Sequence, residues 1–378
     1  MRGRRVVLIP ALLLWLALPL CGIWLTGLPV AHYLEFPPRT SSVTHAPFSW
    51  EWFLLVALAS VGTLAPIIWR VLTAHTSAVT TRFLAPGTPY ESHRFPWWGW
   101  VGIGWTALWW TIAWTRFPWA AWVQEHTFTP LWLGYILVVN AWAFMRTGNC
   151  LLLHRWKDFW MLFPASACFW WTFEYLNRFV GNWTYSGADG LTAIDYVIRA
   201  TLSFSTVLPA VVGTAEVLRS YPRMGSGLDR FLAIPAIESP RLGWLGLALS
   251  CAGLLVLGVW PDYLFPFVWI SPLFLIVSLQ IISGQPTILS PLARGDWQEP
   301  WVAAMAGLVC GFFWELWNWQ SLAHWEYAIS FVHRFSIFEM PLLGYAGYLP
   351  FGITCVAVAH LVLDRNRLGG EHRTPLAS

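Results

Sequence analysis

Long apolar runs alternate with short polar stretches along this chain, and the runs have the length that crosses a membrane as a helix. At about 1.5 Å per residue, a hydrocarbon core of about 30 Å needs roughly 20 apolar residues. Such runs lie near 6–28, 52–73, 97–115, 131–147, 159–179, 195–218, 242–260, 264–284, 300–319 and 338–363. The pattern predicts an all-α polytopic membrane protein of about ten transmembrane helices. The first run is too long for an ordinary signal-peptide core, and Leu20 is not the small residue that lipoprotein processing wants before Cys21. It reads as an uncleaved first helix.

Orientation follows from the basic residues, because cytoplasmic loops hold the excess of Lys and Arg. With the N-terminus inside, only Arg39, Arg116, Arg178, Arg199 and Arg334 fall on the outer side, and the other 17 of the 22 fall inside. Both termini are therefore expected in the cytoplasm, in a membrane of the bacterial inner type.

Composition sharpens this. The chain is 57% hydrophobic and 11% charged, against roughly 25% charge in soluble domains. A formal charge of +3 with no basic run excludes a nucleic-acid partner. Cys21, Cys168, Cys251, Cys310 and Cys355 fall in apolar runs without CxxC or metal spacing, so no disulfide framework is implied. Thirty tryptophans and 26 prolines suit a membrane protein, in which Trp gathers at the interfaces and freed carbonyls find other partners.

A duplication organises the chain. GWVGIGWTALWW from Gly99 matches GWLGLALSCAGL from Gly243, TPLWLGYILVVNA from Thr129 matches SPLFLIVSLQIIS from Ser271, and CFWWTFEYLN ending at Asn177 matches GFFWELWN ending at Asn318. Gly99 precedes Glu174 by 75 residues and Gly243 precedes Glu315 by 72. NWTY at 182–185 then faces HWEY at 324–327, and LPAVVG at Leu208 faces LPFGIT at Leu349. The expected organisation is a two-helix extension with linker (1–96), a four-helix repeat (97–218), a cytoplasmic linker (219–241), a second four-helix repeat (242–363) and a cytoplasmic tail (364–378). Parallel repeats pack about an axis along the membrane normal, and polar residues converge where they meet.

Ionisable residues inside a membrane cost about 2.5 to 3.5 kcal/mol each on insertion scales and mark functional sites by default. Here they recur in register. Each repeat has an amide in its second helix (Asn140, Gln280) and a Glu with an Asn three residues on (Glu174 with Asn177, Glu315 with Asn318). An outer loop then carries Trp183 with Tyr185, or Trp325 with Tyr327, and an acid is expected to open the next helix (Asp195, Glu339). The i, i+3 spacing puts each Glu and Asn on one helical face. Interhelical hydrogen bonding that merely holds the helices together is the alternative for the Glu and Asn pairs.

The copies differ in charge. Glu174 and Asp195 each have an Arg four residues on (Arg178, Arg199), whereas Glu315 and Glu339 have Trp319 and Leu343. Ion pairs at i, i+4 should keep the first two acids ionised, which leaves Glu315 as the preferred proton donor with Glu339 as its partner. Arg334 or a distant Arg could neutralise them instead. Aromatic rings cluster around Trp314, Trp317, Trp319, Phe312 and Phe313 and around Phe169, Trp170, Trp171 and Phe173. Rings so placed could hold a cation or form an interfacial belt. Gly307 and Gly311 suggest close helix packing, and scattered histidines without ligand spacing do not suggest a metal site.

The order Glu315, Asn318, Trp325, Tyr327, Glu339, Pro341 resembles the membrane-embedded lycopene cyclase domain and related small integral-membrane terpene cyclases. In that family a Pro precedes two adjacent acids, whereas here one acid, Glu339, precedes Pro341. The resemblance implies that Glu315 and Glu339, with Glu174 and Asp195 as counterparts, protonate an alkene or epoxide of an apolar isoprenoid. It also implies that aromatic rings stabilise the resulting cation and that no cofactor is needed. Asn318, Asn177, Trp325, Tyr327, Trp183, Tyr185, Trp314, Trp319, Gln280 and Asn140 are the expected substrate-binding residues, and membrane lipids the expected surroundings. A lipid or isoprenoid carrier and a non-catalytic envelope-assembly protein are the alternatives.

Overall fold

A computed structural model describes residues 2–38, 43–74, 93–187 and 190–363. Arg39, Arg82, Arg365, Arg367, Arg373 and the whole 364–378 tail lie outside the described residues. The described chain is mostly helical. Its principal helices are α1 (Arg2–Leu25), α2 (Trp50–Thr73), α3 (Trp97–Trp114), α4 (Phe128–Thr147), α5 (Trp156–Val180), α6 (Ala193–Phe204), α7 (Val207–Arg219), α8 (Pro240–Val256), α9 (Phe267–Ile282), α10 (Gln298–Trp319) and α11 (Tyr348–Val362). Among the described residues, six helical stretches are long and apolar enough to cross a membrane: Val6–Leu25, Trp50–Thr73, Phe128–Thr147, Ala193–Arg219, Gln298–Trp319 and Leu342–Val362. They make this an integral membrane protein.

Packing centres on α7, which lies against α4, α5, α10 and α11. Lipid tails are as apolar as leucine, so helices in a membrane associate through close fit rather than through escape from water. Small residues supply that fit. A Cβ on Gly307 would lie 2.6 Å from the Cα of Gly352, so α10 and α11 touch backbone to backbone. The expectation of a packing role for Gly307 is met. By contrast α2 turns Leu58, Trp69 and Leu72 outward at 71%, 71% and 76% exposure, the surface a lipid-facing helix presents.

Among the described residues four strands complete the fold: β1 (Trp183–Ser186), β2 (His324–Tyr327), β3 (Ser336–Ile337) and β4 (Met340–Pro341). β1 and β2 form an antiparallel ribbon that pairs Trp183 with Tyr327, Thr184 with Glu326, Tyr185 with Trp325 and Ser186 with His324. Because β1 follows α5 and β2 follows α10, the ribbon brings the C-terminal ends of those helices to one end of the bundle. Gly181 ends α5 in the left-handed region at φ 60°, and its N–H donates to the Asn177 carbonyl at 2.7 Å. That conformation suits glycine at a helix C-terminus and turns the chain sharply into β1.

The opposite end carries a chain of charges that the sequence pattern does not single out. Arg155 reaches Asp158 at 3.1 Å and Glu216 at 3.6 Å, and Arg219 Nε donates to Glu299 at 2.9 Å. These pairs join α5, α7 and α10.

One expected element is corrected. Glu339 does not open a helix, because it lies in the tight turn between β3 and β4 with Phe338 at φ 56°. The residue before a proline is driven out of the α region, so Met340 stays extended and helical structure starts only at Leu342.

Candidate functional site

Two asparagines set the loops that build the site. Asn177 donates to the Trp183 carbonyl at 2.7 Å and accepts from the N–H of Asn182 at 2.8 Å. Asn318 donates to the Trp325 carbonyl at 2.7 Å and accepts from the N–H of Trp325 at 2.8 Å. Each is thus a main-chain clamp that folds the loop back over its own helix. Neither lines the cleft, so their expected substrate-binding role is corrected to a positioning one. Asn140 and Gln280 do similar work elsewhere: Asn140 accepts from the N–H of Leu152 at 3.0 Å, and Gln280 donates to the Pro286 carbonyl at 3.4 Å. Both are tied to the connection after their own helix, away from the ribbon.

Folding the loops back delivers their aromatic side chains to the two glutamates. Glu174 Oε1 accepts from the indole of Trp170 at 2.9 Å, the indole of Trp183 at 3.1 Å and the hydroxyl of Tyr185 at 2.5 Å. Glu315 Oε1 accepts from the hydroxyls of Tyr348 at 2.5 Å and Tyr327 at 2.7 Å. Trp325 supports the second arrangement by donating its indole N–H to the Tyr327 oxygen at 2.8 Å. Glu174 is 8% exposed and Glu315 0%, and neither has a salt-bridge partner among the described residues. The Oε2 of Glu315 is buried without a hydrogen bond.

Although built alike, the two clamps use different third partners. Trp170 stands four residues before Glu174 and reaches it from within α5. Gly311 stands four residues before Glu315, and a Cβ there would clash with the Tyr348 ring. The missing side chain leaves room for Tyr348 to enter from α11. Tyr348 is a site residue that the motif reading missed. Its signal lay in the aligned repeats, where Gly311 stands against Trp170 and Tyr348 against Val207.

Between the clamps lies a cleft of about 180 Å³ whose lining includes Trp170, Trp183, Tyr185, Val207, Trp269, Trp314, Trp325, Tyr327 and Tyr348. Of the expected substrate-binding residues, Trp183, Tyr185, Trp314, Trp325 and Tyr327 line this cleft. Glu174 and Glu315 do not line it. They lie one shell back, and the indoles and phenols stand between them and the open space. The rim carries Glu125 and Arg199, joined at 2.9 Å.

Four further expectations are corrected. Asp195 is exposed and off the cleft, held by Thr192 at 2.7 Å in the first turn of α6. Capping draws it back toward Thr192, and its expected partner Arg199 turns to Glu125. Arg178 likewise leaves Glu174, donating to the His32 carbonyl at 3.0 Å and approaching Glu35 at 3.9 Å, because the segment after α1 passes over that end of α5. Glu339, in its hairpin turn, makes no hydrogen bond or ion pair among the described residues. Trp319 is 44% exposed and packs on Trp114 and Phe338 instead of the cleft.

Among the described residues no group of three or more His, Cys, Asp or Glu could hold a metal ion. Chemically, the arrangement offers hydroxyl groups backed by buried acids, facing an aromatic space. Comparison with family models, curated proteins and solved structures returns no match.

Proposed function

We propose that the protein is an intramembrane acid catalyst, a cyclase or isomerase acting on an isoprenoid or other lipid held in the aromatic cleft. The observation that carries this reading is the contact of Glu315 with two hydroxyls, Tyr348 and Tyr327, that line the open space. In its acid form Glu315 reverses this hydrogen bond, passing a proton to the Tyr348 oxygen as the freed Tyr348 hydroxyl proton goes to a substrate alkene. The alkene becomes a carbocation, Glu315 becomes a carboxylate, and loss of a substrate proton back along the same path restores both groups. Rearrangement or ring closure in between leaves the atoms balanced without a cofactor. An open cleft, rather than a filled interface, favours a ligand-handling protein over an envelope scaffold.

The reading includes ten crossings, with α3, α5, α8 and α9 added to the six stretches named above, and two parallel four-helix repeats. Support for the repeats comes from the matched Asn clamps, the matched Glu clamps and the pairing of β1 with β2. The inner membrane of a bacterium, with both termini cytoplasmic, is the proposed location, and the ribbon end then faces outward.

The test is mass spectrometry of lipid extracts from an isoprenoid-producing host expressing wild type, Glu315→Gln or Tyr348→Phe. A new cyclic or isomerised lipid should appear with wild type and vanish with both folded variants. Full product formation by folded Glu315→Gln would exclude the proposed acid.

A further inference from the structure

We infer that the cleft binds a preformed organic cation, specifically a quaternary ammonium group of the trimethylammonium type. The inference goes beyond catalysis and rests only on the cleft being the ligand site. Its first support is shape and chemistry. Trp170 neighbours Trp183 at 6.3 Å and Trp314 at 6.3 Å, Trp183 neighbours Trp269 at 5.7 Å, and Trp314 neighbours Tyr348 at 5.9 Å. These rings form one contiguous wall, and all five line the cleft. A cation within about 6 Å of a ring centroid is attracted by the negative ring face, most strongly by Trp and when water is excluded.

The second support is charge, which Glu315 supplies in the carboxylate form left after it has given up its proton. Glu174 and Glu315 stand behind opposite parts of that wall, and no Lys or Arg pairs with either among the described residues. Both acids accept hydrogen bonds from ring N–H or O–H groups, which draws positive density to the ring edges and leaves the faces richer in electrons. A bulky cation that cannot donate hydrogen bonds suits such a wall. Inorganic cations would lose their hydration shell without gaining oxygen ligands, since the carboxyl oxygens are screened by the rings.

Such a group could come from a choline lipid or from a free quaternary ammonium solute. Calorimetry on the purified full chain in maltoside detergent separates these sources, using choline, a short-chain phosphatidylcholine and the neutral tert-butyl isostere of choline. Choline or the lipid should bind at least about tenfold more tightly than the isostere. Competition between choline and the lipid would assign recognition to the head group, whereas binding of the lipid alone would include its acyl chains. Glu315→Gln should lower affinity for the cation by about tenfold and leave that for the isostere unchanged. Equal affinity of wild type for cation and isostere, or no binding of any of the three, would overturn the inference. Neither result depends on product formation, so the catalytic reading stands or falls separately.

Discussion

Tyr348 donates a hydrogen bond of 2.5 Å to Glu315 across the gap that Gly311 leaves in the wall of α10. The pair belongs to different helices, so the second clamp also fastens α10 to α11. In the first clamp Trp170 and Glu174 belong to the same helix, and that contact fastens nothing across an interface.

Filling that gap should therefore detach Tyr348. Gly311→Leu is expected to destabilise the protein by about 1–3 kcal/mol through overpacking and to abolish conversion. Gly104→Ala is the control, because a Cβ there meets nothing within 4 Å. Equal thermal midpoints and equal activities for Gly311→Leu and wild type would contradict the account.

Removing one hydroxyl tests the network from the other side. Tyr348→Phe and Tyr327→Phe each deprive a buried carboxyl of a donor, at an expected cost of about 1–3 kcal/mol. Tyr348→Phe combined with Glu315→Gln should cost clearly less than the sum of the two single changes. Strict additivity in chemical denaturation would mean that the groups act independently.

The asparagine clamps make a prediction about conservative change. Asn318→Asp keeps the acceptor for the Trp325 N–H but loses the donor to the Trp325 carbonyl. About 1–3 kcal/mol should be lost, along with protection of the 320–327 segment in hydrogen exchange. Unaltered exchange would assign loop position to the ribbon alone.

At the end opposite the ribbon, Arg219→Met removes the guanidinium that donates to Glu299 in a half-buried setting. A loss of about 3 kcal/mol is expected, and Arg219→Met with Glu299→Met should recover part of it. A neutral single variant in a thermal aggregation assay would reduce the ion chain to a surface feature.

Acid should weaken the fold through two histidines outside the spans. Burial foremost, then Arg199, holds His126 below the ordinary value of 6.5, with Glu125 opposing. Burial and then His45 do the same for His333, with Glu339 opposing. The unfolded chain then binds more protons than the folded one as pH falls through 6.5, so stability is full above that value and declines below it. Thermal midpoints should drop between about pH 7 and 5, and less so in His126→Gln with His333→Gln. An identical pH profile in the double variant would place the titrating groups elsewhere.

How much of this was readable in the chain differs by level. Apolar runs located the helices because a spanning helix must satisfy its own backbone and therefore has little freedom of form. The Glu and Asn register located the clamps because i, i+3 spacing is a local property of a helix. Charge pairing is not legible, for the opposite reason. Arg178 and Arg199 have partners from remote segments, Glu35 and Glu125, and four-residue spacing carries no information about what crosses above. Glu339 departs from the helical pattern because Pro341 drives Met340 out of the α region, an effect that apolar periodicity does not register. Tyr348 is legible only when two differences between the repeats are taken together, a ring lost at Gly311 and a ring gained a helix away.

The ribbon joins its halves by main-chain pairing, and Asn177 and Asn318 likewise grip main-chain atoms of Trp183 and Trp325. None of these bonds depends on which side chain occupies position 183, 185, 325 or 327, and all four positions face the cleft. The joint and the ligand surface are thus under separate control. Mutation can retune what the cleft accepts, one ring at a time, while the seam between the two halves stays closed.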